Sequence, residues 1–214
     1  MAHLLRIDSS SRLQDSHSRG LADEIQAAWQ ARHPGGQVTR RDLVVEPLPH
    51  ISDATIAGFF TPEDQQTTQT RAATGLSDRL IAELQAADTI LIGVPMYNFS
   101  VPSALKAWID HIVRIGHTFG FDPEKGLHGL LGGKAVLIAA AYGASGYVDN
   151  GPYAAMDFLA PYLRGLFNFL GLSEVEFFAV EGSSTDPAAM DASLKKTRED
   201  IAYRFGATIS ACAG

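Results

Sequence analysis

The chain has 214 residues and a formal net charge of −7. Its 46% hydrophobic and 19% charged content is that of an ordinary folded protein, and the acidic balance argues against nucleic acid, whose phosphates are bound by basic patches. No stretch stays apolar over the roughly 18 residues of a membrane span, and the one cysteine, Cys212, excludes an internal disulfide and a cysteine-based zinc site.

The opening residues, Met-Ala-His-Leu-Leu-Arg-Ile-Asp, lack the basic and long apolar regions of a secretion signal and read as a first strand, Leu4–Asp8. A cytoplasmic protein is expected, with no membrane partner. Helical spacing follows from about Ser18 to Arg32, with Leu21, Ile25, Ala28 and Trp29 on one face, until His33-Pro34-Gly35-Gly36 stops it. Val38–Leu43 is a more polar strand, suited to a sheet edge. Residues 46–61 read as loop and short turns, and Pro62 with Glu63 and Asp64 opens a helix that runs to about Ala87. Residues 89–94 are apolar at nearly every position, as a strand covered on both faces requires. The next helix buries Leu105, Trp108, Ile109, Ile112 and Val113. Gly116 to Gly133 is a glycine-punctuated insertion holding Phe119 and Phe121, and a loop of that length within a compact domain is usually functional. Ala135–Ala141 is the fourth strand. A loop, Tyr142–Pro152, and a helix of about Tyr153–Leu170 lead to the fifth, Val175–Val180, and a final helix starts near Pro187.

This alternation implies one α/β domain over residues 1–214. Its fold is a three-layer, doubly wound sheet of five parallel strands in the flavodoxin-like order 2-1-3-4-5. Ligands in such sheets bind at the switch point, beside the loops after strands 1 and 3.

The loop after strand 1, Asp8-Ser9-Ser10-Ser11-Arg12-Leu13-Gln14-Asp15-Ser16-His17-Ser18, runs into a helix start, where unpaired N–H groups favour an anion. Ser10, Ser16 and Ser18 add hydroxyl donors, so a phosphate can be held without lysine; a plain N-cap at Ser16 with solvated neighbours explains the same residues. The loop after strand 3, Met96-Tyr97-Asn98-Phe99, offers a sulfur, a phenol, an amide and a phenyl ring in succession and suits a flat heteroaromatic ligand. Core packing of Met96 and Phe99 around a turn at Asn98 is the plainer alternative. The loop after strand 4, Tyr142-Gly143-Ala144-Ser145-Gly146, is small enough for backbone to approach a ligand. The chain has no Walker loop, no Gly-x-Gly-x-x-Gly, no Gly-x-Ser-x-Gly elbow and no carboxylate cluster for a metal.

Several segments together resemble the FMN-dependent NADH-azoreductases, bacterial flavodoxin-like quinone reductases. They are Ser10 with Ser16-His17-Ser18, Pro95 to Phe99 followed by Pro102-Ser103, Leu105 to Asp110, Gly116-His117-Thr118-Phe119, Asp149-Asn150-Gly151-Pro152 and Pro161-Tyr162-Leu163. The resemblance spans most of the chain. It implies FMN phosphate contacts at Ser10, Ser16, His17 and Ser18, and ring contacts at Met96, Tyr97, Asn98 and Phe99. Tyr142, Gly143 and Ala144 complete the cofactor site, and Tyr142 stands where family members usually carry arginine. Phe121 and Phe167 are implied as substrate-stacking residues, in a homodimer whose partner helps wall each site.

The implied activity is that of an NADH:quinone oxidoreductase that also cleaves aromatic azo compounds, by ping-pong two-electron (hydride) transfer through FMN. FMN carries the chemistry, so no catalytic side chain and no metal is expected. The alternatives are an NAD(P)H:FMN reductase on the same fold and a flavodoxin-like one-electron carrier.

Overall fold

The computed structural model describes residues 1–124 and 126–206; Cys212 lies outside the described residues. Five parallel strands form the main sheet: β1 (His3–Asp8), β2 (Gln37–Asp42), β3 (Thr89–Pro95), β6 (Ala135–Ala141) and β7 (Val175–Val180). Their spatial order is β2-β1-β3-β6-β7, the expected 2-1-3-4-5. Two further strands, β4 (Phe119–Asp122) and β5 (Gly126–Gly129), pair antiparallel apart from it.

Side-chain alternation along the strands divides the interior into two cores. Leu5, Ile7, Ile90, Ile92, Val94 and Ile138 meet α3 (Thr68–Ala86), α4 (Ser103–Ile112) and α5 (Ala160–Phe169) on one face. Leu4, Leu91, Leu137 and Phe178 meet α1 (His17–Arg32) and α6 (Pro187–Phe205) on the other, against Leu21, Ile25, Trp29, Ile201 and Phe205. The edge strand β2 is only partly buried, in keeping with its polar sequence. No helix among the described residues is long and apolar enough to cross a membrane.

Three local expectations are corrected. Residues 46–61 contain a helix, α2 (Asp53–Phe59), where Ser52 and Thr55 bond reciprocally in a capping box whose N3 residue is threonine rather than glutamate. The helix expected from Pro62 is a single 3-10 turn, Glu63–Gln65, and α3 starts only after Thr67, whose side chain caps it. The helix expected over Tyr153–Leu170 is interrupted: a 3-10 turn, Ala154–Met156, precedes Asp157, whose carboxylate accepts from the N–H groups of Leu159 and Ala160 and so opens α5 at a new start. The Gly116–Gly133 insertion is the β4–β5 hairpin. Gly129 lies so close to Gly171 that a Cβ there would stand 2.0 Å from the Gly171 nitrogen.

The strand ends are drawn close to α1 at Gly93. A Cβ on Gly93 would lie 2.8 Å from Asp8 Oδ1, 3.3 Å from the Ser18 carbonyl oxygen and 3.5 Å from the Ala22 Cβ. Gly93→Ala is therefore expected to cost about 1–3 kcal/mol of unfolding free energy, the usual penalty for overfilling a packed site, as read from the urea midpoint.

Candidate functional site

Four loops leave the carboxyl edge of the main sheet beside one another. The loop after β1 is pinned from both sides. Ser9 donates from its backbone N–H and its hydroxyl to the Gly93 carbonyl, at 3.0 and 2.9 Å. The Arg19 guanidinium donates to the Ser10 carbonyl at 2.8 Å and forks onto both oxygens of Asp42. Ser16 caps α1 by accepting from the Arg19 N–H, and its hydroxyl lies 3.3 Å from that of Ser18. A helix start leaves its first N–H groups without intrahelical acceptors, and they face the space these serines border.

The loop after β3 closes in a two-residue turn. Tyr97 and Ser100 exchange both backbone hydrogen bonds, at 3.0 and 3.1 Å, with Asn98 at φ +49° and Phe99 at φ +71°. Positive φ at both central positions marks a primed turn, which asparagine tolerates and a phenylalanine rarely adopts. Strain of this kind persists where the surroundings impose it, which is common at ligand sites. Met96 donates its N–H to the Ala141 carbonyl at 2.8 Å, and the Tyr97 hydroxyl accepts from the Ser11 N–H at 3.2 Å. One side chain thus fastens the aromatic turn to the serine loop.

Ser10, Arg12, Asp15, Ser16, His17 and Ser18 face Pro95, Met96, Tyr97, Ala141, Gly143, Ser183 and Ser184 across a cleft of about 220 Å³. Wider grooves of about 660 Å³ between α1 and α6, and about 490 Å³ beside Arg114, lie elsewhere. We place the site in the smaller cleft because the switch point and the strained turn coincide there.

The structure brings together Ser10, Ser16, His17, Ser18, Met96, Tyr97 and Gly143. Asn98 and Phe99 stand at the turn beyond the cleft, and Ala144 lies in the loop past Gly143. The Tyr142 side chain turns inward, 1% exposed, and its hydroxyl donates to Asp157 Oδ2 at 3.2 Å. Burial, and then the Asp157 charge, push its ionisation well above the ordinary phenol range. Sequence reasoning missed Arg12, Asp15, Ser183 and Ser184. The last two lie in the loop after β7, past Glu181 and Gly182, and a serine pair just past a fifth strand was the available signal.

A family model described as flavodoxin-like fold matches residues 2–204. The chain belongs to the flavodoxin-like family. An FMN-dependent NADH:quinone oxidoreductase of Xanthobacter autotrophicus is 53% identical over 176 residues, 82% of this chain and 84% of that protein. Another from Herminiimonas arsenicoxydans is 45% identical over 201 residues, 94% and 97% of the two chains. The crystal structure of azoreductase from Bacillus anthracis str. Sterne matches with a TM-score of 0.86 at 26% identity, over 97% of this chain and all of that one.

One expected residue of this flavodoxin-like site is corrected. Phe167 is fully buried on α5 in the core with Leu131, Leu163 and Leu170, so it presents no face for stacking. Phe121, 64% exposed on the hairpin, remains accessible, and Phe158 is exposed at the turn, where its N–H donates to the Phe99 carbonyl at 3.0 Å.

Partial burial alone would raise the Asp42 carboxyl, but the Arg19 fork and the N–H groups of Val44 and Val45 outweigh it and hold it below the usual carboxylate range. A carboxylate whose folded value is depressed stabilises above its unfolded value and loses that contribution as pH falls through the folded one. Acidification below about pH 4 should therefore erode wild-type stability more steeply than that of Asp42→Asn, measured as unfolding midpoints against pH.

Proposed function

We propose that this protein is an FMN-dependent NADH:quinone oxidoreductase that also reduces aromatic azo compounds. The observation that carries the reading is the pairing of an anion seat at the start of α1 with a strained aromatic turn, joined by the Tyr97–Ser11 bond. The names of the relatives supply the same cofactor, donor and acceptor class.

The residues present suit FMN. Ser10, Ser16, His17 and Ser18 would hold the phosphate through hydroxyl and helix-start N–H donors, a way of binding an anion that an acidic protein can use. Met96, Tyr97, Asn98 and Phe99 would hold the ring edge and one face. Gly143, with the Tyr142 and Ala144 backbone, would border the opposite edge. There a glycine leaves the space beside Ser184 open: a Cβ would stand 3.5 Å from its hydroxyl. When bound, FMN supplies the two-electron chemistry that links NADH oxidation to reduction of a quinone or an azo bond. The protein's part is to orient the ring, aim N–H dipoles at it and keep the adjoining slot apolar.

Homodimer formation belongs to the same reading. Phe121 and Leu127, opposed across the β4–β5 hairpin, are both exposed, as are Phe60 and Ile115. Exposed apolar side chains on and beside the hairpin suit burial by a second copy that also walls the slot. The acidic composition and single cysteine fit action in the cytoplasm.

Purified protein mixed with FMN is expected to stay yellow after gel filtration, to bleach on anaerobic NADH addition and to recover with benzoquinone or methyl red. Protein that remains colourless contradicts the reading, and reduction in two one-electron stages favours a carrier. Ser16→Ala/Ser18→Ala is expected to weaken FMN about 10- to 100-fold, as loss of hydrogen bonds to a charged group does, while riboflavin, which lacks the phosphate, binds as before. Light scattering should give a dimer mass that Phe121→Ser lowers.

A further inference from the structure

The aromatic turn is tied to the interior along a path that begins at Tyr142. This residue follows β6 and stacks on Tyr147, with ring centroids 5.5 Å apart, and Tyr147 in turn meets Tyr153 at 5.9 Å. The Tyr142 hydroxyl donates to Asp157 Oδ2 at 3.2 Å. The other oxygen, Asp157 Oδ1, accepts from the N–H groups of Leu159 at 2.8 Å and Ala160 at 3.1 Å. Between these anchors the Phe158 N–H donates to the Phe99 carbonyl at 3.0 Å, and Phe99 is the residue held at φ +71°.

Asp157 is a buried carboxylate whose lone pairs are filled from two directions. Removing one donor from such a group leaves an acceptor that water reaches poorly, so the segment carrying it gains reason to move. Phe158 sits inside that segment and is 59% exposed, and Phe99, its hydrogen-bond partner, is 39% exposed. A shift at Asp157 is thus passed to the backbone bond that braces the strained turn, and to the two exposed aromatic residues that this bond joins.

We propose that Tyr142, through Asp157 and the Phe158 N–H, is a positioning residue that sets the place of Phe99 and Phe158 and hence the width of the slot for the electron acceptor. The assignment of that slot to a quinone or azo acceptor rests on the function proposed above; the mechanical coupling does not. Because the phenol stays protonated far above working pH, its donation to Asp157 persists throughout the range in which the enzyme would be assayed.

The test uses Tyr142→Phe, which keeps the stack and deletes only the hydroxyl. In FMN-free protein, NMR should show the Phe158 amide exchanging with solvent about tenfold faster or more, with distant core amides unaffected. In the loaded protein the visible band of the bound flavin should shift, and KM for benzoquinone should rise about three- to tenfold with kcat changed less than twofold. Asp157→Ser, whose hydroxyl can still cap α5 but is too short to reach Tyr142, should reproduce these effects should the tyrosine variant fold poorly. The double variant Tyr142→Phe/Asp157→Ser should then be no worse than either single change. Unchanged Phe158 exchange and unchanged KM, with only a lowered Tm, would overturn the proposal, as would additive effects in the double variant. Wild-type protein that takes up no FMN would instead sink the functional reading, and the Phe158 exchange rates would still decide the coupling.

Discussion

The ligand edge of this molecule depends on an ion pair buried on β1, the strand beside the centre of the sheet. Arg6 and Asp8 point from β1 towards α1, because alternation sends Leu5 and Ile7 to the opposite core. The Arg6 guanidinium is almost out of water. It donates to both oxygens of Asp8, to Asp23 and Gln26 on α1, and to the Arg19 carbonyl. Burial by itself would disfavour that charge, and the carboxylates of Asp8 and Asp23 more than offset it. Breaking such a pair from one side leaves an uncompensated charge indoors, typically at a cost of about 3–5 kcal/mol. Its geometric effect is to fix α1 against β1, and with it the Arg19 backbone. The Arg19 side chain then holds the Ser10 carbonyl and Asp42. Strand, helix and serine loop are thus assembled as one unit before any ligand is considered.

Gly93 completes this arrangement from the neighbouring strand. Without a side chain there, Asp8 and the first turn of α1 can lie directly over β3, and Ser9 can bond the Gly93 carbonyl twice. The same strand then delivers Met96 and Tyr97 into the cleft. Two loops distant in sequence therefore share one rigid origin, and the Tyr97 hydroxyl spans what separation is left.

The architecture was largely legible in the sequence because its signals are strong. A run at 89–94 apolar at nearly every position and rich in β-branched residues reads as a doubly covered strand, and each strand is followed by a helical pattern long enough for a crossover. The serine loop and the Met-Tyr-Asn-Phe turn also stood out, since both sit at strand ends on the ligand edge, where a core reading alone does not require that set of side chains. What stayed hidden depends on contacts between segments. Thr55 and Thr70 close capping boxes through hydroxyls, where the familiar pattern has a glutamate, so the start of α2 and the true start of α3 were obscured. Asp157 opens α5 in the middle of a continuous helical pattern. Phe167 and Phe158 are both aromatic residues near one loop, and only the folded packing shows that the first faces the core and the second faces water. Ser183 and Ser184 follow a strand whose place could be read in the sequence, but only the folded loop brings them against the cleft.

That last wall has a temporal side. Residues 183 and 184 come from the loop after the final strand, so the cleft acquires its fourth side only when β7 has docked beside β6. A chain emerging from the ribosome can form the β1–α1–β2 unit early, yet it lacks the far wall until β7 has been made and docked. The complete site accordingly exists only in the finished fold, and a ligand that needs all four walls meets a sheet already assembled.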